Sequence, residues 1–139
     1  MEKRVTGLGG VFLKMENPKD LTLWYDKHLG LSFGKNSYHS FKWHERGKSE
    51  QTGRTEFSLF SRESKYFAPS EGSFMLNFRV ENLTELLTLL KEEGVTIVGD
   101  METYDYGKFA WILDPEGNKI ELWEPIDDVL ERFDEEQNK

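Results

Sequence analysis

Residues 109–125 decide the fold of this chain: Phe109-Ala-Trp-Ile-Leu-Asp-Pro-Glu-Gly-Asn-Lys-Ile-Glu-Leu-Trp-Glu-Pro125. Two strand-like runs flank the Asp-Pro-Glu-Gly-Asn turn at 114–118, where Pro and Gly stand in positions that turn geometry favours. Side chains alternate along a strand, so Glu121 and Trp123 share one face of the second run. A carboxylate beside an indole predicts either an exposed outer face or a cavity wall, and the rest of the chain favours the cavity.

The same order of elements occurs twice along the chain. Residues 8–15 and 74–80 each predict a strand, and a helix follows each one after the N-cap residues Asn17 and Asn82. Both helices are predicted to end at a glycine, which favours the left-handed conformation found there. Strand-like pieces then follow in each half, at 31–34, 38–44 and 54–60 and at 95–98, 108–113 and 119–124.

Superposing the two halves of the sequence places Glu56 on Glu121. Each half is therefore a β-α-β-β-β module, in which one helix covers one face of an amphipathic sheet and leaves the other face open. Two such modules joined edge to edge would curl around a common interior. We predict a single α+β domain over residues 1–139, with modules at about 5–62 and 73–125 forming a curved mixed sheet around a cavity.

The connecting segments carry their own predictions. Residues 45–53 are polar and predict a hairpin loop, whereas the linker at 61–72 carries aromatic residues and is expected to pack against the sheet. Residues 99–107 predict a loop over the cavity. Apolar residues at 126–133 recur at helical spacing, and the remaining residues at 134–139 are expected to be frayed.

Composition limits the classes of partner. The net charge of −8 argues against nucleic acid and anionic membranes, which require basic surfaces. The absence of cysteine excludes disulfides, thiolate metal sites and cysteine nucleophiles. Residues 1–5 lack the apolar run of a signal peptide, so a cytoplasmic protein is expected.

The paired modules, the helix end Trp-Tyr-Asp-Lys-His-Leu-Gly-Leu at 24–31 and the Asp-Pro-Glu-Gly-Asn-Lys-Ile-Glu-Leu-Trp stretch at 114–123 resemble the vicinal oxygen chelate superfamily. This superfamily includes glyoxalase I, bleomycin-resistance proteins, extradiol dioxygenases and fosfomycin-resistance enzymes, and the resemblance covers roughly residues 5 to 125. It implies a homodimer. It also implies a cavity in which a divalent metal is held by a His on the first strand and a Glu or His on the last strand of each module.

By this resemblance the last-strand metal positions are Glu56 and Glu121, and the first-strand positions are Gly10 and Met75. Neither glycine nor methionine binds a hard cation through its side chain. Two carboxylates make an incomplete site, since metal centres usually have three or more protein ligands. No metal site is therefore predicted, although an ion that completes its shell with water and substrate oxygens stays an alternative.

Strand alternation predicts which other side chains face the cavity. The predicted wall is aromatic with a few charges, a mixture that suits small-molecule pockets, and its rings could stack on a planar ligand or hold a cation. Glu121 beside apolar rings is a candidate general base with a raised pKa. The predicted cavity residues are Phe12, Lys14, Glu56, Ser58, Met75, Asn77, Arg79, Trp111 and Trp123.

Structural roles remain open for the same residues. Glu56 and Glu121 are equally well explained by ion pairs with Lys14 and Arg79, and the tryptophans by packing. Trp24 on the first helix is predicted to lie in the core.

Two functions follow from these features. The first is binding of a small organic molecule without the full metal site, as in the bleomycin-resistance proteins. The second is a metal-dependent lyase, isomerase or dioxygenase of the glyoxalase I type.

Overall fold

The computed structural model describes residues 4–45 and 48–137. Within these ranges there are seven strands and three helices, in the order β-α-β-β in the first half and β-α-β-β-β in the second, followed by a third helix. The elements are β1 (Val5–Met15), α1 (Pro18–Leu29), β2 (Tyr38–Glu45), β3 (Lys48–Ser61), β4 (Phe74–Val80), α2 (Leu83–Glu92), β5 (Glu102–Tyr104), β6 (Gly107–Leu113), β7 (Lys119–Pro125) and α3 (Asp127–Gln137).

The strands form one mixed sheet in the order β2-β3-β1-β4-β7-β6-β5. In each module the first strand pairs in parallel with the last, β1 with β3 and β4 with β7. The two modules join through the antiparallel pair β1 and β4 at the centre of the sheet. The predicted α+β architecture of two joined modules is confirmed.

Local sequence signals explain the first two helices. The Asn17 side chain accepts a hydrogen bond from the Asp20 N–H, and Gly30 ends α1 with φ of 70°. Asn82 caps α2 in the same way. Leu83 and Leu86 of α2 are buried against the second module, where they form a core cluster with Val80, Ala110 and Leu122.

Some predicted local elements are wrong. Residues 31–34 are not a strand, because Phe33 is buried against the rings of Tyr25 and Phe57 and its N–H donates to Asp26. Residues 95–98 contribute only an isolated bridge at Ile97. The predicted hairpin loop at 45–53 belongs largely to β2 and β3, whose pairing extends to Glu45 and Lys48, and residues 46–47 lie outside the described residues.

Two further predictions about burial also fail. Trp24 is 49% exposed, because α1 turns the face containing Thr22 and Tyr25 inward and leaves Trp24 beside His28 on its outer side. The predicted fraying does not begin at residue 134, since α3 continues to Gln137 and Asp134 forms ion pairs with the sheet. The predicted tail at 138–139 lies outside the described residues.

The linker between the modules packs down as predicted. Phe67 is fully buried and lies in a cluster with Phe12, Met75 and Trp111. The linker thereby covers one end of the inner sheet face, and α3 lies at the other end. None of the helices in the described ranges is long and apolar enough to cross a membrane.

Candidate functional site

A cavity of about 240 Å³ lies between the inner face of the sheet and α3. Strands of both modules contribute to its floor, and the segment before β6 and the middle of α3 close its sides. A volume near 150 Å³ is enough for one benzene molecule, so this cavity suits a compact molecule of one or two rings. Its lining residues are Gly9, Phe12, Tyr38, Arg54, Glu56, Ser58, Asn77, Tyr106, Phe109, Glu121, Trp123, Leu130, Phe133 and Asp134.

The structure brings six of the predicted residues to this cavity and places four elsewhere. Phe12, Glu56, Ser58, Asn77, Glu121 and Trp123 line it. Met75 is fully buried under the linker, and the Lys14 ammonium lies 5.2 Å from the centre of the Phe67 ring. These two side chains lie at the linker end of the sheet face. The other two, Trp111 and Arg79, adjoin the cavity from behind Glu121 and Trp123 respectively.

Sheet register explains why the carboxylates meet in one place. Glu56 lies beside Gly10 in the parallel pair of the first module, and Glu121 lies beside Asn77 in the second. In the sequence, Met75 is the position equivalent to Gly10, and the expected neighbour of Glu121 is therefore Met75. The partner of Glu121 is instead an amide that can donate hydrogen bonds.

Glu121 is 2% exposed and is held by three donors. The Asn77 amide donates to its Oε1 at 2.6 Å, the Trp111 indole donates to its Oε2 at 2.9 Å, and the Tyr66 hydroxyl donates to the same oxygen. Burial raises the pKa of Glu121 and outweighs the lowering by these hydrogen bonds. Glu121 is therefore fixed in place, and both of its oxygens are already engaged.

Glu56 is the more accessible carboxylate, with 17% of its side chain exposed. The Ser40 hydroxyl lies 2.9 and 2.7 Å from its two oxygens, and an Arg54 nitrogen lies 3.8 Å away. Burial raises the pKa of Glu56 despite these partners. A cavity-facing carboxyl of this kind can hold or release a proton nearer to neutral pH than an ordinary glutamate.

An aromatic wall faces the carboxylates. The rings of Phe109 and Trp123 stack with centroids 5.8 Å apart, as expected from their pairing across β6 and β7. Tyr106 contacts Phe109 edge-on and also contacts Phe133 of α3. The predicted loop at 99–107 therefore reaches the cavity, although part of it forms β5.

Ion pairs hold α3 over the cavity. Arg54 is 3% exposed and contacts Asp134 at 2.7 Å and Glu131 at 3.4 Å. Arg79 is 2% exposed, contacts Asp127 at 2.6 Å, and lies between the rings of Trp43 and Trp123. The predicted ion pairs of Glu56 and Glu121 with Lys14 and Arg79 do not form, because Arg79 pairs with Asp127 of α3 and the Lys14 ammonium lies over the Phe67 ring.

Sequence reasoning missed several lining residues. Phe109 stands two positions before Trp111, so strand alternation could have placed it on the inner face. Leu130 and Phe133 belong to the apolar pattern at helical spacing over 126–133, but this pattern alone does not show which surface of the sheet the helix covers. Arg54 stands two positions before Glu56, so strand alternation could have placed it on the same face, although an arginine near a strand end is usually solvated.

The donors present do not fit a divalent metal ion, which the resemblance implies for active members. Within residues 4–45 and 48–137 no group of three or more His, Asp or Glu side chains is placed to hold one. Both oxygens of Glu121 accept hydrogen bonds, and the Ser40 hydroxyl contacts both oxygens of Glu56.

Solved structures with the same fold include epimerases. Methylmalonyl-CoA epimerase from Mycobacterium tuberculosis is 21% identical, with a TM-score of 0.58 over 94% of this chain and 95% of that chain. A Streptomyces coelicolor methylmalonyl-CoA epimerase variant in complex with 2-nitronate-propionyl-CoA is 12% identical, with a TM-score of 0.60 over 87% of this chain and 98% of that chain. At these identities the likeness shows the fold alone.

A third similar structure is a hypothetical protein from Bacillus halodurans, 16% identical with a TM-score of 0.55 over 86% of this chain and 94% of that chain. A comparison with curated proteins finds no match to this sequence. The model of the Glyoxalase/Bleomycin resistance protein/Dioxygenase superfamily matches residues 11–122, most of the chain. The chain therefore belongs to the Glyoxalase/Bleomycin resistance protein/Dioxygenase superfamily.

Proposed function

We propose that this chain binds a small planar organic molecule in the cavity under α3, without a metal ion. The observation that carries the proposal is the stacked pair Phe109 and Trp123 facing Phe133 across a cavity of about 240 Å³. Aromatic walls with a few polar groups are typical of small-molecule sites.

Tryptophan fluorescence tests this proposal. A panel of one- and two-ring compounds is titrated into the full chain, and saturable quenching is expected because Trp123 lines the cavity. Trp123→Phe keeps a ring but removes the reporter, so it should abolish most of the quenching. Trp24→Phe is the matched control, since Trp24 is exposed on α1 outside the cavity. Equal quenching in both variants would place binding elsewhere.

Glu56 favours a second candidate function, proton transfer at a carbon next to a carbonyl group. Its carboxyl faces the cavity with a raised pKa, whereas the oxygens of Glu121, the base predicted from sequence, are held by three donors. The ionised carboxylate would take the proton from that carbon and return it. Deuterium incorporation into a bound carbonyl compound in D₂O, observed by NMR and lost in Glu56→Gln, would support this function.

The wider expectations from sequence stay predictions. These are a homodimer, a cytoplasmic location, and a small-molecule partner in place of nucleic acid or a membrane. Light scattering on the purified chain tests the first of them.

A further inference from the structure

The buried guanidinium of Arg54 marks one end of the cavity. Its Nη2 atom contacts Asp134 at 2.7 Å and Glu131 at 3.4 Å, and both acids lie on α3. The only acidic contact that the sheet itself provides among the described residues is Glu56, at 3.8 Å. Because a buried charge is costly without a partner, α3 supplies the anion that Arg54 needs.

The helix that supplies this anion is separate from the family core. The family model matches residues 11–122, and α3 begins at Asp127. Arg79, beside the cavity behind Trp123, also depends on α3 through Asp127. Two buried arginines of the sheet are thus neutralised by one helix that follows the matched region.

Most of the unpartnered buried side-chain atoms among the described residues are donors, and two of these donors, on Arg54 and Trp123, belong to residues that line the cavity. Within the described ranges, buried N–H groups without a partner occur on Arg54, Arg79 and Trp123. The corresponding unpartnered acceptors are one oxygen each of Asn77 and Asp127. A carboxylate offers two acceptor oxygens and matches a guanidinium in bidentate geometry.

The two carboxylates that the sheet contributes to the cavity already accept hydrogen bonds. Glu121 accepts from three donors of the sheet and linker, and Glu56 accepts from Ser40. A cationic ligand would have to share these carboxylates with their present donors. An anionic ligand would take the place of Asp134, which is 27% exposed on a surface helix and makes the shortest contact with Arg54, and would share Arg54 with Glu131 and Glu56 at 3.4 and 3.8 Å.

We infer that the ligand carries a carboxylate group and that, in the unliganded chain, Asp134 of α3 occupies the place of that carboxylate on Arg54. This inference rests on the proposed function and names the chemical class of its ligand. A ring would lie against Phe109 and Trp123 while the carboxylate meets Arg54. Binding then requires α3 to release Arg54.

Three probes with the same ring test the charge preference: benzoate, benzyl alcohol and benzylamine. Their affinities are measured by fluorescence and calorimetry on the full chain and on Asp134→Ala. Benzoate should bind the wild type most tightly, and Asp134→Ala should strengthen benzoate binding by about tenfold, the effect of removing one charge-assisted competitor. Benzyl alcohol should bind both proteins equally.

Asp128→Ala is the matched control, because Asp128 is exposed on the same helix and lies outside the Arg54 cluster. It should leave the benzoate affinity unchanged. If Asp134→Ala does not fold, Asp134→Asn keeps the shape without the charge and should also strengthen benzoate binding.

The outcomes separate the inference from the proposed function. Benzylamine binding more tightly than benzoate, or a benzoate affinity unchanged by both Asp134 variants, would overturn the inference and leave the binding site standing. Failure of all three probes to bind any of the proteins would overturn both.

Discussion

Asn77 and Glu121 lie side by side on the parallel strands β4 and β7, and the Asn77 amide donates a 2.6 Å hydrogen bond to Glu121 Oε1. Both side chains are almost fully buried. The equivalent neighbour of Glu56 in the first module is Gly10, which has no side chain. The second module therefore holds the Glu121 carboxylate with a fixed donor, and this carboxylate becomes part of the cavity wall.

Substitutions of Asn77 test how much its hydrogen bond to Glu121 contributes to stability. Asn77→Ala leaves a buried carboxylate oxygen short of a partner and should lower the free energy of unfolding by about 1–3 kcal/mol. Asn77→Asp should cost more at pH 7, because it places a second carboxylate against Glu121. Urea denaturation at pH 5 and pH 7 measures both variants. An Asn77→Asp protein whose stability falls no more from pH 5 to pH 7 than that of the wild type would contradict this role of Asn77.

Glu56 and Glu121 should also shape the pH dependence of stability. Both carboxyls have pKa values raised above the ordinary 4.5, so the folded state binds their protons more tightly than the unfolded state. Their contribution to stability is full below pH 4.5 and is lost as pH rises through the folded pKa values. The double variant Glu56→Gln/Glu121→Gln should show a flatter fall in unfolding free energy from pH 5 to pH 8. Equal slopes in wild type and variant would be inconsistent with raised pKa values.

Asp134 should control the attachment of α3. Burial acts to raise the pKa of Asp134, but hydrogen bonds from Arg54 and Lys42 outweigh it and hold the pKa below the ordinary 3.8. The contribution of this carboxylate is therefore present above pH 3.8 and is lost as pH falls through the folded pKa. Asp134→Ala should speed amide hydrogen exchange in α3 at pH 7 by removing a charged hydrogen bond worth about 1.5–3 kcal/mol. Asp128→Ala removes only a first-turn acid worth about 0.3–1 kcal/mol to the helix, so it should speed the exchange of α3 less, and equal acceleration in both would refute the role of Asp134.

Gly9 should tolerate no side chain. A Cβ at this position would lie 2.0 Å from Asn77 Oδ1 and 3.1 Å from Arg79 Cγ, and Asn77 is tied to Glu121. Gly9→Ala should therefore destabilise the fold by about 1–3 kcal/mol, as overpacking of a filled interior does. Gly72→Ala is the control, since its Cβ would make only ordinary contacts of 3.5 Å or more. Thermal unfolding of the two variants compares them, and similar melting temperatures would show that Asn77 moves freely.

Sequence reasoning succeeded where local chemistry sets the structure. The caps Asn17 and Asn82 and the alternation of Glu121 and Trp123 are local signals, and the helices and inner sheet face follow from them. The position of Trp24 was wrong because a helical stripe with apolar residues on several sides does not fix which side is buried.

The closed cavity depends on long-range pairings that carry no local pattern. Arg54 meets Asp134 across 80 residues, and Tyr66 meets Glu121 across 55. The sequence also predicts the wrong neighbour for Glu121, since Met75 lies two residues before the actual neighbour, Asn77. Sheet register in β4 and β7 does not follow the spacing set by the helix caps. These contacts decide whether the carboxylates serve as metal ligands or as wall residues, and only the folded chain shows them.

The most direct test of a metal-free cavity is a thermal-shift titration of EDTA-stripped protein with Mg²⁺, Mn²⁺, Ni²⁺, Zn²⁺ and Fe²⁺, beside Glu121→Gln. A ligand that binds only the folded state raises the melting temperature by mass action. The oxygens of Glu121 are engaged by Asn77, Trp111 and Tyr66. We therefore predict that adding metal shifts the melting temperature of the wild type no more than that of the variant. A rise specific to one metal that disappears in Glu121→Gln would contradict the account and establish a metal centre in the cavity.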